Sequence, residues 1–279
     1  MEIGGKIIMS KNFKPAVWSQ YIENELKKDL VFGNFCDYRY EGEIKKGGKV
    51  KIVGTGKVNV RKREAGKPIT VDTMNDNAQF MEITEEDYFA FGVDDVDKAQ
   101  AIPNFINDEM KEAEESLADS ADRYLASVAA KGALASMKSE STELAKVEYP
   151  LSLLDRALVG LYKNNVSTKT KLEAALNPSH AVACKNKLGA LFTNNVEYLK
   201  QGAVGQYGNI LIKMSNNLYN DGTDDYEIVR TSRALAFANQ INKVETLRDQ
   251  GDFRDIVRGL HTYGGKLVRP KELYAILVH

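Results

Sequence analysis

The chain has 279 residues, 43% hydrophobic and 28% charged, with a formal net charge of −1. That length suits one large domain or two modest ones with a sizeable core, and the charge balance gives the molecule as a whole no general affinity for polyanions. No apolar run approaches the roughly 18 residues of a membrane span, and Met1–Ser10 lacks the apolar stretch of a secretory signal. Residues 1–8 read as a short extension, a flexible arm or an alternative start ahead of Met9. Cys36 and Cys184 are far apart, which excludes a disulfide scaffold and fits a reducing cytoplasm.

Catalytic signals are missing as well. The histidines are His180, His261 and His279, and no two of them stand at a helical metal-ligand spacing. No Gly-Lys-Ser or Gly-Lys-Thr occurs. Gly54-Thr55-Gly56 lacks the third glycine of a dinucleotide loop and lies between strand-like segments, so it reads as a tight turn. Asp94, Asp95 and Asp97 read as acids at a helix start, where they meet the helix dipole, rather than as a metal site. Asn165-Val166-Ser167 matches a glycosylation sequon, which means little in a cytoplasmic protein. The chain is therefore read as no enzyme, with no cofactor and no metal.

In chain order, residues 15–32 open with Pro15 and place Val17, Trp18, Tyr21, Ile22, Leu26 and Leu30 at amphipathic helical spacing. From Tyr38 to Val93 the period becomes two: Val50 and Ile52, Val58 and Val60, Ile69 and Val71, then Phe89, Phe91 and Val93. Glu64-Ala65-Gly66-Lys67-Pro68 reads as the tip of a long hairpin, whose arms of about a dozen residues would reach about 40 Å. An isolated ribbon with so few apolar residues is marginal in water and needs a partner surface.

After Pro103, Ile106, Met110, Ala113, Leu117, Ala121, Tyr124 and Val128 recur in steps of three and four, predicting a helix of about 28 residues that ends near Lys131. Its other face is read as acidic: Asp108, Glu109, Glu112, Glu114, Glu115, Asp119 and Asp122. The hairpin has the opposite bias, with Lys45, Lys46, Lys49, Lys51, Lys57, Arg61, Lys62, Arg63 and Lys67 against Glu64 alone. Residues 72–97 hold nine acids and no Lys or Arg. This segregation predicts charge-complementary contacts, within one chain or between chains. Further on, Leu151–Tyr162 reads as a helix with Leu154, Leu158 and Leu161 on one side, and Asn177-Pro178 opens another that ends near Phe192. Asn209–Met214, Tyr226–Thr231 and Leu235–Val244 read as strands, and Ile256–Leu260 and Lys266–Val278 as extended segments, which makes the chain α+β.

Taken in order, Trp18, then Tyr40-Glu41-Gly42-Glu43-Ile44 and the basic hairpin, then Tyr88-Phe89-Ala90-Phe91-Gly92-Val93-Asp94-Asp95-Val96-Asp97 and Ala99-Gln100-Ala101 before the long helix, resemble the major capsid protein of tailed bacteriophages. Ser215-Asn216-Asn217-Leu218, Phe253, Arg258-Gly259-Leu260, Tyr263-Gly264 and Arg269-Pro270 continue the match, which spans about Asn12 to Val278. The same fold is shared with herpesvirus capsid floors and encapsulins. The resemblance implies an N-terminal arm (1–35), an extended loop (36–80), a peripheral domain with a spine helix (81–146), an axial domain (147–255), and C-terminal strands (256–279) that return to the peripheral domain or border the axial one.

It also implies self-assembly through hexamers and pentamers into an icosahedral virion shell around double-stranded DNA in the host cytoplasm. A separate scaffolding protein and a portal would assist, contact with the packaged DNA would be weak and non-specific, and no membrane would be involved. Candidate inter-subunit contacts are Trp18, Lys45, Lys46, Lys57, Arg61, Lys62, Arg63 and Lys67 on one side and Asp108, Glu112, Glu115 and Asp119 on the other. The alternatives are an encapsulin-like compartment and, from another class, a nucleic-acid-binding protein using the basic hairpin, with Tyr38 and Tyr40 for stacking.

Overall fold

The computed structural model describes residues 30–39, 48–54, 62, 77–94, 105–188 and 203–279. The first elements are β1 (Lys49–Gly54), β2 (Asn77–Glu82), β3 (Glu85–Asp94), α1 (Phe105–Gly132), α2 (Leu151–Lys163), β4 (Leu172–Leu176) and α3 (Pro178–Leu188). Then follow β5 (Ala203–Tyr207), β6 (Ile210–Met214), β7 (Tyr219–Asn220), β8 (Asp225–Thr231), β9 (Leu235–Arg248), β10 (Arg254–Leu267) and β11 (Leu273–Val278).

Helix α1 runs for 28 residues, about 42 Å at 1.5 Å per residue. Met110, Leu117 and Ala121 are buried along it, as the three-and-four spacing predicts, with Tyr124 and Val128 partly buried; Leu125, which that spacing does not name, is buried as well. The acidic face is narrower than expected. Glu114 and Asp122 are buried too, because they fall on the apolar side of the wheel, within a turn of Met110 and Leu125.

A six-stranded sheet carries the order β11-β8-β4-β6-β5, with β7 attached to β8. β4 and β6 are parallel and the other pairs antiparallel. One face of this sheet packs Leu172, Ala174, Leu176, Ile210, Ile212 and Val229 against α2 and α3. The other face turns Ala175, Ile228 and Ala275 toward α1. β4 is buried along its whole length, yet its sequence Leu-Glu-Ala-Ala-Leu contains good helix formers and no strand alternation. Tertiary burial overrides the local preference here, so the sequence pattern leaves this central strand unassigned.

The second sheet orders β3-β10-β9. β9 pairs with β10 from Asp255↔Arg248 to Leu267↔Leu235, and β10 pairs with β3 from Arg254↔Asp94 to Tyr263↔Glu85. Leu235–Arg248 thus belongs to this sheet and not with the strands between 172 and 231. Pattern gives a strand its type but not its partner. The two extended segments read at the end of the chain prove to be one 14-residue strand, a short helical turn at Pro270–Glu272 and then β11.

β1 and β2 pair antiparallel from Lys49↔Glu82 to Gly54↔Asn77. Val50, Ile52 and Met81 pack on Ala236 and Ala238, so the stem of the expected hairpin rests on the second sheet. Gly264 permits this: a Cβ there would lie 2.5 Å from the carbonyl oxygen of Glu82. The expected tip at 64–68, the strands at 58–60 and 69–71, and the helix at 15–32 (all but its last residues) fall outside the described residues, as do Thr55, Gly56, Asp95 and Asp97.

Local signals explain the helix ends. The side chain of Asn177 accepts the His180 backbone N–H at 2.7 Å and caps α3, with Pro178 at its first position. Asn165, the sequon asparagine, has φ 63° just after α2, the left-handed conformation that ends many helices. His180 is fully buried: its Nδ1 lies 2.6 Å from Glu227 Oε2 and its Nε2 3.1 Å from the Pro150 carbonyl. Both ring nitrogens are thus engaged, one with a carboxylate and one with a backbone carbonyl. Burial works against a charge on the ring, but hydrogen bonds with Cys184 and Glu227 override it and hold the pKa up at about 10. The residue ties α3 to the sheet and is not a metal ligand.

Leu125 has no exposed surface and packs where α1 meets both sheets. Leu125→Ala should destabilise the soluble subunit by about 2–5 kcal/mol in chemical unfolding. An unfolding midpoint equal to the parent's would contradict the placement of α1.

Candidate inter-subunit surface and the clasp behind it

Segment 30–38 precedes the hairpin stem and is gripped from several sides. Leu30 and Phe32 are buried among α1 residues and the start of β9. From α1, the Asp122 carboxylate accepts the backbone N–H groups of Val31 (2.6 Å), Phe32 (3.1 Å) and Gly33 (3.0 Å). From the six-stranded sheet, Lys213 Nζ donates to the Val31 carbonyl at 3.1 Å, and the Arg230 guanidinium donates to the Phe32 carbonyl. Glu173 neutralises both cations, with Lys213 at 2.8 Å and Arg230 at 3.1 Å. Arg230 also lies against the rings of Phe32 and Phe35 and donates to Cys36 Sγ at 3.2 Å. Beyond the clasp, Asp37 bridges to Ala236, which leads the segment onto β9.

Two acids and two bases thus meet in the interior, arranged around backbone groups that would otherwise lack partners. Only Asp122 was named from sequence, and there on the outward acidic face of α1; Glu173, Lys213 and Arg230 read by default as solvated. The faint signal was Glu173 inside an otherwise apolar run and Arg230 closing the Ile228-Val229 strand. Burial raises the Asp122 pKa to about 6, opposed by the three backbone hydrogen bonds and by Arg230. Burial likewise pushes the Cys36 thiol up, with Arg230 pulling the other way.

The outward surface lies on the second sheet and α1. β3 is an edge strand, with β10 as its only sheet partner among the described residues. Between β3 and α1 runs a groove of about 620 Å³, lined among others by Asp87, Phe89, Phe91, Glu109, Glu112 and Leu117. Its floor is apolar and its rim acidic. On the sheet's other face, Tyr88 (78% exposed) stands beside Leu260, and Ile256 beside Leu247, with the Arg258–Glu245 ion pair between them. Phe253, at the turn between β9 and β10, is 80% exposed. Such apolar exposure, next to a strand edge, marks a surface suited to a partner.

The expected contact residues fare unequally. Glu112 lines the groove; Glu115 is exposed and pairs with Lys111 at 3.6 Å. Asp119 is exposed but holds Asn217 at 2.8 Å within its own chain. Lys62 is exposed. Trp18, Lys45, Lys46, Lys57, Arg61, Arg63, Lys67 and the side chain of Asp108 lie outside the described residues. In the hairpin stem, Lys49 meets Glu82 at 2.7 Å, so part of the charge complementarity is spent within the chain. Tyr88, Phe253 and the groove floor escaped the sequence reading, since an apolar strand residue looks like core until its sheet's open face is known. Among the described residues no cluster of metal-ligating side chains occurs, and no helix is long and apolar enough to cross a membrane.

The raised Asp122 pKa makes a signed prediction. A carboxyl whose pKa rises on folding contributes stability at low pH, and that contribution is lost as pH climbs through about 6. Between pH 7 and pH 5 the folding equilibrium of the parent should therefore gain about tenfold relative to Asp122→Asn. Identical pH profiles for the two proteins would contradict the clasp geometry.

Neither a scan of protein-family models nor a search of curated proteins finds a match. Solved structures do match. A structure from Mycobacterium phage Che8 is 28% identical, with 88% of this chain and 90% of that one covered and a TM-score of 0.68. The capsid of cyanophage P-SCSP1u is 16% identical over 84% of each chain, with a TM-score of 0.64. The holo-SrpI encapsulin complex from Synechococcus elongatus PCC 7942 is 10% identical over 74% and 77%, with a TM-score of 0.54. This chain has the major capsid protein fold of tailed bacteriophages, which encapsulin shells share.

Proposed function

We propose that the chain is the major capsid protein of a tailed phage or prophage, which self-assembles into the icosahedral shell around a double-stranded DNA genome. The observation that carries this reading is a match over nearly nine-tenths of both chains to the Che8 structure, with the P-SCSP1u capsid close behind. The encapsulin match has a lower TM-score and covers less of the chain, so the compartment reading ranks second. The buried His180 and Glu227 are engaged with each other and with the backbone of Pro150 and Asn177.

At the level of parts, we infer that residues 1–35 act as an arm, 36–80 as an extended loop, and α1 with the second sheet as the peripheral body. The six-stranded sheet with α2 and α3 would form the axial body. The loop's Lys45, Lys46, Lys57, Arg61, Lys62, Arg63 and Lys67 would lie on acidic surface of an adjacent subunit, with Glu112 and Glu115 the best-placed partners. Trp18 would anchor the arm. A separate scaffolding protein and a portal would complete assembly in the host cytoplasm, with only weak contact to packaged DNA.

Electron microscopy tests the main reading: shells or ring-shaped capsomers of the purified protein are expected, and a preparation that stays uniformly monomeric both in dilute buffer and with a crowding agent standing in for the scaffold would refute it. Exposed ion pairs contribute about 0–1 kcal/mol each, so single charge reversals should be silent and several together should not. Changing Lys57, Arg61, Lys62 and Arg63 together to Glu should lower particle yield while leaving the subunit's circular dichroism intact. Normal yield would remove the hairpin from the interface. Tight, steeply salt-dependent binding of duplex DNA by intact particles would instead favour a nucleic-acid role.

A further inference from the structure

Beneath α1, the second sheet contains polar groups that the shell reading does not use. Asn239 on β9 and His261 on β10 are 1% and 0% exposed. Both amide atoms of Asn239 and both ring nitrogens of His261 have no protein hydrogen-bond partner. Buried polar atoms are nearly always satisfied, so four such atoms in two side chains of neighbouring strands call for a shared explanation.

The register brings the two side chains together. Asn239 is directly opposite Tyr263 and therefore on the same face of the sheet as the Tyr263 ring. His261 lies two residues before Tyr263, again on that face, with its ring stacked on Tyr263 at 4.8 Å. Asn239 and His261 are thus diagonal neighbours, with backbones about 7–8 Å apart in ordinary strand geometry. Their side chains can converge on one small polar molecule without meeting directly. The pairing shifts between Leu260 and His261, so the strand is irregular at this point. Tyr124 of α1 packs edge-on against Tyr263 and helps close the site from above.

The chemistry selects the guest. Burial depresses the His261 pKa to about 4, with Asp87 of β3 pulling weakly the other way, so the ring is neutral in ordinary buffer. Ionisable groups on the elements around it include Glu85 on β3, Tyr263 on its own strand and the buried Glu114 and half-buried Tyr124 on α1, and none of them hydrogen-bonds to the ring. A neutral imidazole offers one donor and one acceptor, and the Asn239 amide offers both kinds as well. A water molecule, itself donor and acceptor, satisfies this set with no net charge. Interior waters typically make about three hydrogen bonds to groups of this kind.

We propose that Asn239 and His261 hold a structural water molecule between β9 and β10, and that this hydrated joint is built into the support of α1. A double-mutant cycle on the soluble subunit tests it. Asn239→Leu and His261→Phe should each weaken folding, since each strands the other residue's polar atoms, and the double variant should be more stable than the sum of the singles by about tenfold in the folding equilibrium constant. Additive effects would overturn the proposal. A high-resolution density map of the parent gives a second readout if a single variant does not fold. A peak within hydrogen-bond distance of both side chains supports the joint, and continuous protein packing with no peak there overturns it.

Discussion

The clasp formed by Asp122, Glu173, Lys213 and Arg230 is the constraint on which the rest of the molecule depends. It is the place where α1, the six-stranded sheet and the segment leading to the hairpin stem are bound to one another by charge. Asp122 supplies acceptors for three consecutive backbone N–H groups, and Lys213 and Arg230 supply donors for the carbonyls between them. A chain crossing a protein interior with only one short helical turn, Gly33–Phe35, must have the rest of its backbone satisfied in some such way. Buried ion pairs add little net stability, since desolvation offsets attraction, but loss of one partner costs about 3–5 kcal/mol. The clasp therefore fixes where segment 30–38 passes more than it adds to overall stability.

That fixed path matters for a shell protein. The hairpin stem rests on the second sheet through Val50, Ile52 and Met81, and the segment before it is clasped between α1 and the first sheet. The base of the loop is thus rigidly aimed, which suits a projection that must find the same place on every neighbour. The body also offers a strand edge left unpaired among the described residues, an acid-rimmed groove and exposed Tyr88 and Phe253. In an isolated subunit these features would be liabilities; in an assembly they become contact surface.

Much of this architecture was legible before any coordinates. The three-and-four recurrence from Met110 to Tyr124 yielded α1 at the right length, Val50 and Ile52 yielded the stem, and Asn177-Pro178 marked the start of α3. What stayed hidden has common causes. Leu172–Leu176 is a strand only because it lies between β6 and β8, where burial on both faces outweighs its helical composition. Leu235–Arg248 declared itself a strand but could not declare β10 as its partner. The clasp residues and Glu114 carry charges that sequence reasoning assigns to solvent by default. Of the surface, the acids of α1 could be read, but Tyr88 and Phe253 could not, because exposure depends on which sheet face the fold leaves open.

We propose that the basic hairpin of one subunit completes the acidic and apolar surface of the next. A cryo-electron microscopy reconstruction of the assembled particle measures this directly. Density for residues 55–76 is expected to cross a subunit boundary and lie along the β3–α1 surface near Glu112 of a neighbour. A hairpin folded back on its own subunit, leaving that surface open to solvent in every copy, would contradict it.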